Sequence, residues 1–204
     1  MAEKLLFNLI DSGLRFYKED SQQLVDFVSQ QLAHYAKHHT EWRDKYLFLN
    51  PHHYTRNLVE DNDMLEMIVI VWGPGQGSRV HDHANSNCWM AVLSGSVIEA
   101  HYRPSQDGMP YMPGDEQPNE DGSLASAELV QVNQRKGSAG DVMHIHDRIA
   151  LHAVHNASDA EMAVTLHVYS PPIRVVKVFD VETQTAILRT PGFYSIHGRP
   201  TGKQ

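Results

Sequence analysis

The sequence contains little cysteine, no long apolar run and no excess of positive charge. Its 204 residues include a single cysteine, Cys88. One thiol cannot form an intramolecular disulfide, which favours a reducing compartment. No stretch approaches the roughly 18 consecutive apolar residues that a membrane helix needs. The first residues lack a basic segment followed by an apolar core, so we expect no secretory signal and a cytoplasmic location.

Basic side chains are outnumbered by acidic ones. There are 17 Lys and Arg against 25 Asp and Glu, for a formal net charge of -8. Nucleic acids and anionic membrane surfaces are bound through clustered Lys and Arg, so we expect neither as a partner. Small molecules are the better candidates. The length predicts one domain, residues 1–204, which we expect to be a monomer.

Hydrophobic periodicity divides the chain into a helical segment and a β-rich remainder. Residues 1–48 are predicted to be helical, most clearly from Asp20 to Tyr35, with Asp20 or Ser21 as N-cap. Residues 54–190 hold short β-branched runs separated by turns, which predicts a mainly β, jelly-roll-like antiparallel barrel. Residues 104–123 are predicted to form a long exposed loop, and the polar tail from Ser195 to Gln204 a frayed end. Strands are predicted at Tyr54–Val59, Leu65–Trp72, Cys88–Leu93, Val97–Arg103, Leu129–Gln134, Leu151–His155, Ala163–Tyr169 and Val175–Phe179.

Fourteen histidines are present, and the pattern His81-Asp82-His83 is the strongest local signal. Side chains two apart on an extended segment point to one face, so both imidazoles can reach one metal ion. A third histidine, His152, lies in a later predicted strand and is followed by Asn156. This spacing resembles the cupin motifs, in which a glycine-framed His-x-His pair precedes a later His-x3-Asn.

Two alternatives remain open at this point. A second His-x-His pair, His144-Ile145-His146, could hold the ion, although it lacks the glycine frame. Imidazole also suits zinc, copper or nickel as well as iron, and zinc with three histidines would indicate hydrolytic chemistry.

Cys88 stands where cupin motifs usually carry a metal-binding Glu. Without that carboxylate, three neutral imidazoles leave the charge of a dication uncompensated, which favours an anionic ligand such as a thiolate. A lone cysteine in an apolar run is usually a small buried side chain. A free thiol close to a redox metal, however, is prone to oxidation.

A later segment aligns three polar side chains. On a strand, Thr165, His167 and Tyr169 share one face, which places a hydroxyl, an imidazole and a phenol in a row. Pro171 and Pro172 then end the strand.

Together these segments resemble the cysteine dioxygenases of the type I, eukaryotic-like group within the cupin superfamily. The resemblance covers about residues 42–180. It rests on five ordered motifs: residues 54–59, Trp72-Gly73, His81-Asp82-His83 with Cys88, Leu151-His152 with Asn156, and Leu166-His167 with residues 169–172.

The resemblance implies one Fe(II) per chain held by His81, His83 and His152, with no organic cofactor. It implies a thioether crosslink between Cys88 and Tyr169. The substrates would be free L-cysteine and O2, and the product cysteine sulfinic acid, the first step of cysteine catabolism toward taurine or sulfate.

The same resemblance assigns roles to the polar residues around the ion. It implies that Arg56 binds the substrate carboxylate with Tyr54 nearby. It also implies that Tyr169, His167 and Cys88 act in catalysis. His167 would bond either that carboxylate or the hydroxyl of Tyr169. Ser170-Pro171 is similar to the family's cis peptide.

Departures and rival functions are also visible. Thr165 replaces a more usual Ser, and Ala153 follows His152 where an arginine is common. Dioxygenases of 3-mercaptopropionate are similar but generally carry Gln at the position of Arg56, and cysteamine offers no carboxylate to that arginine. A non-catalytic, metal-binding cupin module is the rival from a different class, and it predicts no thiol-dependent oxygen uptake.

Overall fold

Three helices precede the first strand in this computed structural model, which describes residues 2–105 and 122–202. They span Ala2–Phe16 (α1), Gln22–His38 (α2) and Trp42–Tyr46 (α3). The hydroxyl of Ser21 accepts a hydrogen bond from the backbone N–H of Leu24 at 3.2 Å, which caps α2. The predicted helical segment is confirmed. Most of the loop predicted at 104–123 lies outside the described residues.

Helix α1 continues through Asp11-Ser12-Gly13, although glycine is a poor helix former. Gly13 lies against the ring of Phe27 on α2, and a Cβ atom at this position would come within 2.2 Å of that ring. The absence of a side chain at Gly13 therefore allows the two helices to approach closely.

The strands form two seven-stranded sheets among the described residues. The strands are Thr55–Asp61 (β1), Glu66–Trp72 (β2), Val80–His81 (β3), Asn87–Ser94 (β4), Ser96–Pro104 (β5), Leu124–Ala125 (β6), Leu129–Ser138 (β7), Val142–Ile145 (β8), Leu151–Asn156 (β9), Ala163–Ser170 (β10), Val176–Asp180 (β11), Thr185–Arg189 (β12), Ser195–Ile196 (β13) and Arg199–Pro200 (β14). The strand orders in the two sheets are β14-β13-β1-β2-β10-β4-β8 and β6-β12-β11-β3-β9-β5-β7. Neighbouring strands are antiparallel except for the parallel pair β1 and β13.

This architecture confirms the predicted mainly β, jelly-roll-like fold with N-terminal helices. The eight predicted strands are all present, with ends that differ by at most four residues. Over residues 2–105 and 122–202 the strands stay in two hydrogen-bonded sheets, so the expected barrel is an open pair of sheets.

Strand β2 shows how the first sheet separates two apolar cores. Met67, Val69 and Val71 face the helices. Ile68 and Ile70 alternate with them and face the second sheet. A strand that is buried on both faces needs a continuous apolar run, and each fully buried side chain of this size contributes roughly 1.5–3 kcal/mol.

The C-terminal segment is ordered, so the predicted frayed end is wrong over residues 195–200. Ser195 pairs with Asn57 in the parallel β13–β1 ladder, and its hydroxyl donates to Oδ1 of Asn57 at 2.8 Å. A polar sequence hid this strand because its stability comes from buried hydrogen bonds and not from an apolar run. No helix in the described part of the chain is long and apolar enough to cross a membrane.

Candidate metal centre

Three histidines converge where the second sheet brings β3 and β9 together. His81 and His152 are direct cross-strand partners, and His83 follows β3. One ring nitrogen can be chosen from each histidine such that all three nitrogens lie within 4.8 Å of one another. In the described part of the chain, these three side chains form the one cluster of His, Cys, Asp or Glu residues that could hold a metal ion.

Hydrogen bonds at Nδ1 determine which nitrogen of each ring is available. Nδ1 of His81 lies 2.9 Å from the carbonyl oxygen of Arg79. Nδ1 of His152 lies 2.8 Å from Oε1 of Glu99. An acceptor at Nδ1 fixes the proton there, which leaves Nε2 unprotonated for a metal ion.

The electrostatics keep these rings neutral. Burial, followed by repulsion from His83, lowers the pKa of His152 to about 4. Burial also lowers the pKa of His81 well below its usual value, and the neighbouring histidines act in the same direction. Neutral imidazoles at physiological pH are ready to bind a cation without first losing a proton.

His83 provides the test of whether a metal ion fits. Its side chain is fully buried, and neither ring nitrogen has a hydrogen-bond partner within the described residues. Such a group is costly unless something satisfies it. Oδ1 of Asp147 lies 3.4 Å from Nδ1 of His83, too far for a good hydrogen bond. A metal ion at Nε2 would give that nitrogen a partner, so the donor set fits a metal-binding site.

Glu99 is a further residue of the candidate site, which the sequence did not point to. Burial alone would raise its pKa, but hydrogen bonds from His101, His152 and Arg135 hold that pKa well below its usual range. The Glu99 carboxylate therefore stays ionised behind His152. Its position on the same strand face as Val97 was the available signal, because a strand's inner face rarely carries an unpaired acid.

Glu99 and Asp147 also change the predicted charge balance. The sequence interpretation left the charge of the ion uncompensated once Cys88 replaced the usual Glu. Two buried carboxylates instead lie directly behind two of the histidines. They offset part of a dication's charge without occupying a ligand position.

The second His-x-His pair lies elsewhere. Nε2 of His144 contacts Oδ1 of Asn87 at 2.9 Å, and its ring packs against Trp89. Nδ1 of His146 accepts the backbone N–H of Arg148 at 3.1 Å. Neither belongs to the converging group over the described ranges, and the structure gives both a local role in packing.

Cys88 and Tyr169 lie next to the histidines. Tyr169 is opposite Cys88 in the β10–β4 ladder, and its ring centroid lies 6.2 Å from that of His83. Burial raises the pKa of the Cys88 thiol, so the free thiol stays protonated. The structure thus brings the predicted crosslink partners together beside the metal-binding group.

A chain of hydrogen bonds runs along the interior face of β10. Nε1 of Trp72 donates to Oγ1 of Thr165 at 2.8 Å. Oγ1 of Thr165 lies 2.9 Å from Nε2 of His167, whose Nδ1 lies 3.2 Å from the Tyr169 hydroxyl. A neutral imidazole carries one N–H, so His167 donates to one of these two hydroxyls and accepts from the other. The substrate carboxylate and the Tyr169 hydroxyl were the two predicted partners of His167, and the structure contains the contact with the Tyr169 hydroxyl.

A cavity of about 400 Å³ opens onto His81 and His83. Arg56 and Tyr54 form part of its wall, together with Tyr169. Arg56 is stacked near the ring of Phe193, with 5.8 Å between its Cζ and the ring centroid. The cavity therefore combines a metal-binding group, a guanidinium and a phenol within reach of one small molecule.

The peptide bond between Ser170 and Pro171 is cis, as the resemblance implied. This turn follows Tyr169 at the end of β10.

A family model and individual known proteins point to the same family. The family model described as Cysteine dioxygenase type I matches residues 6–182. The chain is 30% identical to cysteine dioxygenase type 1 of Danio rerio over 206 residues, which cover 98% of this chain and 92% of that protein. It is 33% identical to the Homo sapiens enzyme of the same name over 176 residues, or 85% and 78% of the two chains.

Solved structures give more distant similarities. A double-stranded beta-helix protein from Klebsiella pneumoniae aligns with 67% of this chain and 93% of its own, at 18% identity and a TM-score of 0.45.

Proposed function

The chain belongs to the cysteine dioxygenase type I family, and from that premise we propose that it oxidises free L-cysteine to cysteine sulfinic acid with Fe(II) as its metal ion. The observation that carries the proposal is the cavity that Arg56 lines together with His81 and His83, two members of the three-histidine group. One cysteine and one O2 give one sulfinic acid. Both oxygen atoms are added to sulfur, which loses four electrons to O2.

His81, His83 and His152 would hold the ion through their Nε2 atoms. Iron held by these residues would supply the redox chemistry that O2 needs and would favour the thiolate form of the substrate. The three imidazoles carry no charge, which leaves the anionic ligand to be provided by the substrate.

Arg56 would bind the substrate carboxylate, with Tyr54 beside it. A guanidinium binds a carboxylate through two parallel charge-assisted hydrogen bonds, which fix orientation as well as position. Nε of Arg56 is buried and has no hydrogen-bond partner among the described residues, so it has donor capacity to offer. A bound carboxylate on the cavity side would use that capacity.

His167 and Tyr169 would manage the proton close to the substrate. Burial lowers the pKa of His167 well below its usual value and raises the pKa of Tyr169, so both groups are neutral. A neutral phenol can donate a hydrogen bond to a developing negative charge, and such assistance is typically worth about 10²–10⁴-fold in rate. The crosslink of Tyr169 to Cys88 would hold the phenol in place.

We also propose a monomeric, cytoplasmic enzyme that acts at the start of cysteine catabolism toward taurine or sulfate. The single cysteine and the acidic net charge support this proposal.

Oxygen consumption by the Fe(II)-loaded protein tests the proposal. Cysteine, 3-mercaptopropionate and cysteamine are supplied in parallel, and the sulfinate product is identified by mass spectrometry. We expect uptake of one O2 per cysteine and no turnover by the Zn(II)-loaded protein. Faster turnover of 3-mercaptopropionate than of cysteine would show that the protein is a 3-mercaptopropionate dioxygenase. The absence of oxygen uptake with any of the three thiols would indicate a non-catalytic metal-binding module.

A further inference from the structure

Glu66 is a buried acid beside the substrate-binding arginine. It is the first residue of β2, with a side chain that is 1% exposed. Its cross-strand partners are Asp61 on β1 and Tyr169 on β10. Because side chains alternate along β2, Glu66 shares the face of Ile68 and Ile70, which is directed toward the metal centre.

Glu66 and Arg56 form an incomplete ion pair. Oε1 of Glu66 lies 3.6 Å from a terminal nitrogen of Arg56, beyond hydrogen-bond distance. Neither Oε1 of Glu66 nor Nε of Arg56 has a hydrogen-bond partner in the described part of the chain. The carboxylate thus compensates the charge of the guanidinium without occupying its donors.

The geometry separates Glu66 from the space that the substrate would occupy. Arg56 belongs to the cavity wall, whereas Glu66 is not among the described residues that line it. On its other side, Oε2 of Glu66 lies 3.8 Å from the largely exposed Arg174. Burial raises the pKa of Glu66, and the two arginines act in the opposite direction.

We propose that Glu66 is a positioning residue which, acting through Arg56, sets how strongly the site prefers thiols that carry a carboxylate. This inference rests on the proposed function. A substrate carboxylate at Arg56 is attracted by the guanidinium and repelled by the carboxylate behind it. Glu66 therefore weakens the selection of cysteine over a thiol without a carboxylate.

The expected size follows from Coulomb's law. At the separation that a shared guanidinium imposes, two like charges at an effective dielectric between those of protein and water are worth roughly a factor of ten in affinity. Removing the charge of Glu66 while keeping its shape should tighten binding of carboxylate thiols by about that factor. Cysteamine lacks the carboxylate and should be nearly unaffected.

The test compares Glu66→Gln with the wild type in the Fe(II)-loaded enzyme. Oxygen uptake gives KM for cysteine, and competition with cysteine gives inhibition constants for 3-mercaptopropionate and cysteamine. We expect the first two constants to fall by roughly three- to tenfold and the third to change by less than about twofold. Asp61→Asn is the matched control, since Asp61 lies opposite Glu66 and contacts Arg174 at 3.5 Å without an ion pair to Arg56. It should leave all three constants unchanged.

Other results would overturn the inference. A rise in KM for cysteine would mean that Glu66 only holds Arg56 in place. Equal changes for all three thiols, or none, would mean a structural role. Glu66→Asn provides a second neutral replacement if circular dichroism shows that Glu66→Gln does not fold. Wild-type protein without cysteine-dependent uptake would contradict the proposed function itself, which the same assay shows separately.

Discussion

Cys88 on β4 and Tyr169 on β10 are direct cross-strand partners, and both side chains are buried. Opposite residues in an antiparallel pair have Cβ atoms about 4.5–5.5 Å apart, so a sulfur and an aromatic ring can meet there without rearranging the backbone.

We predict that the active protein forms a thioether bond between these two residues. Formation removes two hydrogens, so intact mass should be lower by about 2 Da and should not change on treatment with reductant. Cys88→Ser should restore the full mass. Because Cys88 is the only cysteine in the sequence, an internal disulfide cannot explain such a loss. A reductant-sensitive or absent loss in turnover-competent protein would contradict the prediction.

Replacing Glu99 with Gln should weaken metal binding. The substitution keeps the shape of the side chain but removes the charge that faces Nδ1 of His152. Loss of such a partner typically lowers metal affinity by about 10–100-fold. Equilibrium dialysis with Fe(II) or Zn(II) measures the change, and Glu128→Gln on an exposed strand-flanking segment is the control. Equal affinity in both variants would show that Glu99 does not support the ligand.

Arg56→Gln should raise KM for cysteine more than it lowers kcat. Charge-assisted hydrogen bonds contribute about 1.5–3 kcal/mol, which corresponds to a loss of roughly 10–150-fold in kcat/KM. Oxygen-uptake kinetics measure both constants. Arg15→Gln, which removes an exposed arginine on α1, should leave them unchanged. An unaltered KM in Arg56→Gln would place the substrate carboxylate elsewhere.

Thr165 links Trp72 to His167, and its hydroxyl can be removed with almost no change of shape. Thr165→Val should leave Nε1 of Trp72 and Nε2 of His167 buried without partners. We expect a loss of about 1–3 kcal/mol in the free energy of unfolding, together with a lower kcat. Urea denaturation and initial rates provide the measurements. Thr165→Ser keeps the hydroxyl and should restore most of both; if it behaves like Val, the hydroxyl is not responsible.

The lowered pKa of His144 should be visible in the pH dependence of the free energy of unfolding. Burial, followed by repulsion from His146 and Arg135, lowers the pKa of His144 to about 4, whereas an unfolded chain has a histidine pKa of about 6.5. Between these values the unfolded chain binds a proton that the folded protein does not. Folding stability is therefore unaffected above pH 6.5 and falls with acidification toward pH 4, by up to about 1.4 kcal/mol per pH unit for this group.

Urea unfolding of the metal-free protein at pH 7.5, 5.5 and 4.5 measures this slope. His144→Gln should reduce the dependence of unfolding free energy on pH by up to about 1.4 kcal/mol per pH unit, which corresponds to one proton. The new side chain keeps an amide that can contact Asn87. A slope that is unchanged by the substitution would mean that His144 titrates normally in the folded state.

Much of the fold and the His81–His83 pair could be predicted from the sequence because each depends on local spacing. The apolar run of β2 and the His81–His83 interval are both properties of a few consecutive residues, whereas His152 was found through its resemblance to the later cupin motif. The partners of those histidines could not be predicted in the same way. Glu99 reaches His152 from 53 positions away, and that contact exists only because β5 and β9 are neighbours in the second sheet.

The short strands were missed for a related reason. Segments such as β8 and β12 are too brief to show a period, and they become strands because neighbouring strands, β4 and β11, offer free hydrogen-bonding groups. Glu66 could not be recognised because it precedes an apolar run, and a charged residue at the end of such a run is expected to be exposed.

The parallel pairing of β13 with β1 has a consequence for synthesis of the protein. Strand β1 carries Arg56, and the edge of β1 stays without its β13 partner until residue 195 and its neighbours have left the ribosome. An open strand edge is a template for association with other chains. During translation, the sheet that contributes Arg56 to the cavity wall is thus completed late, and the nascent chain depends on residues 195–196 to protect the edge of β1.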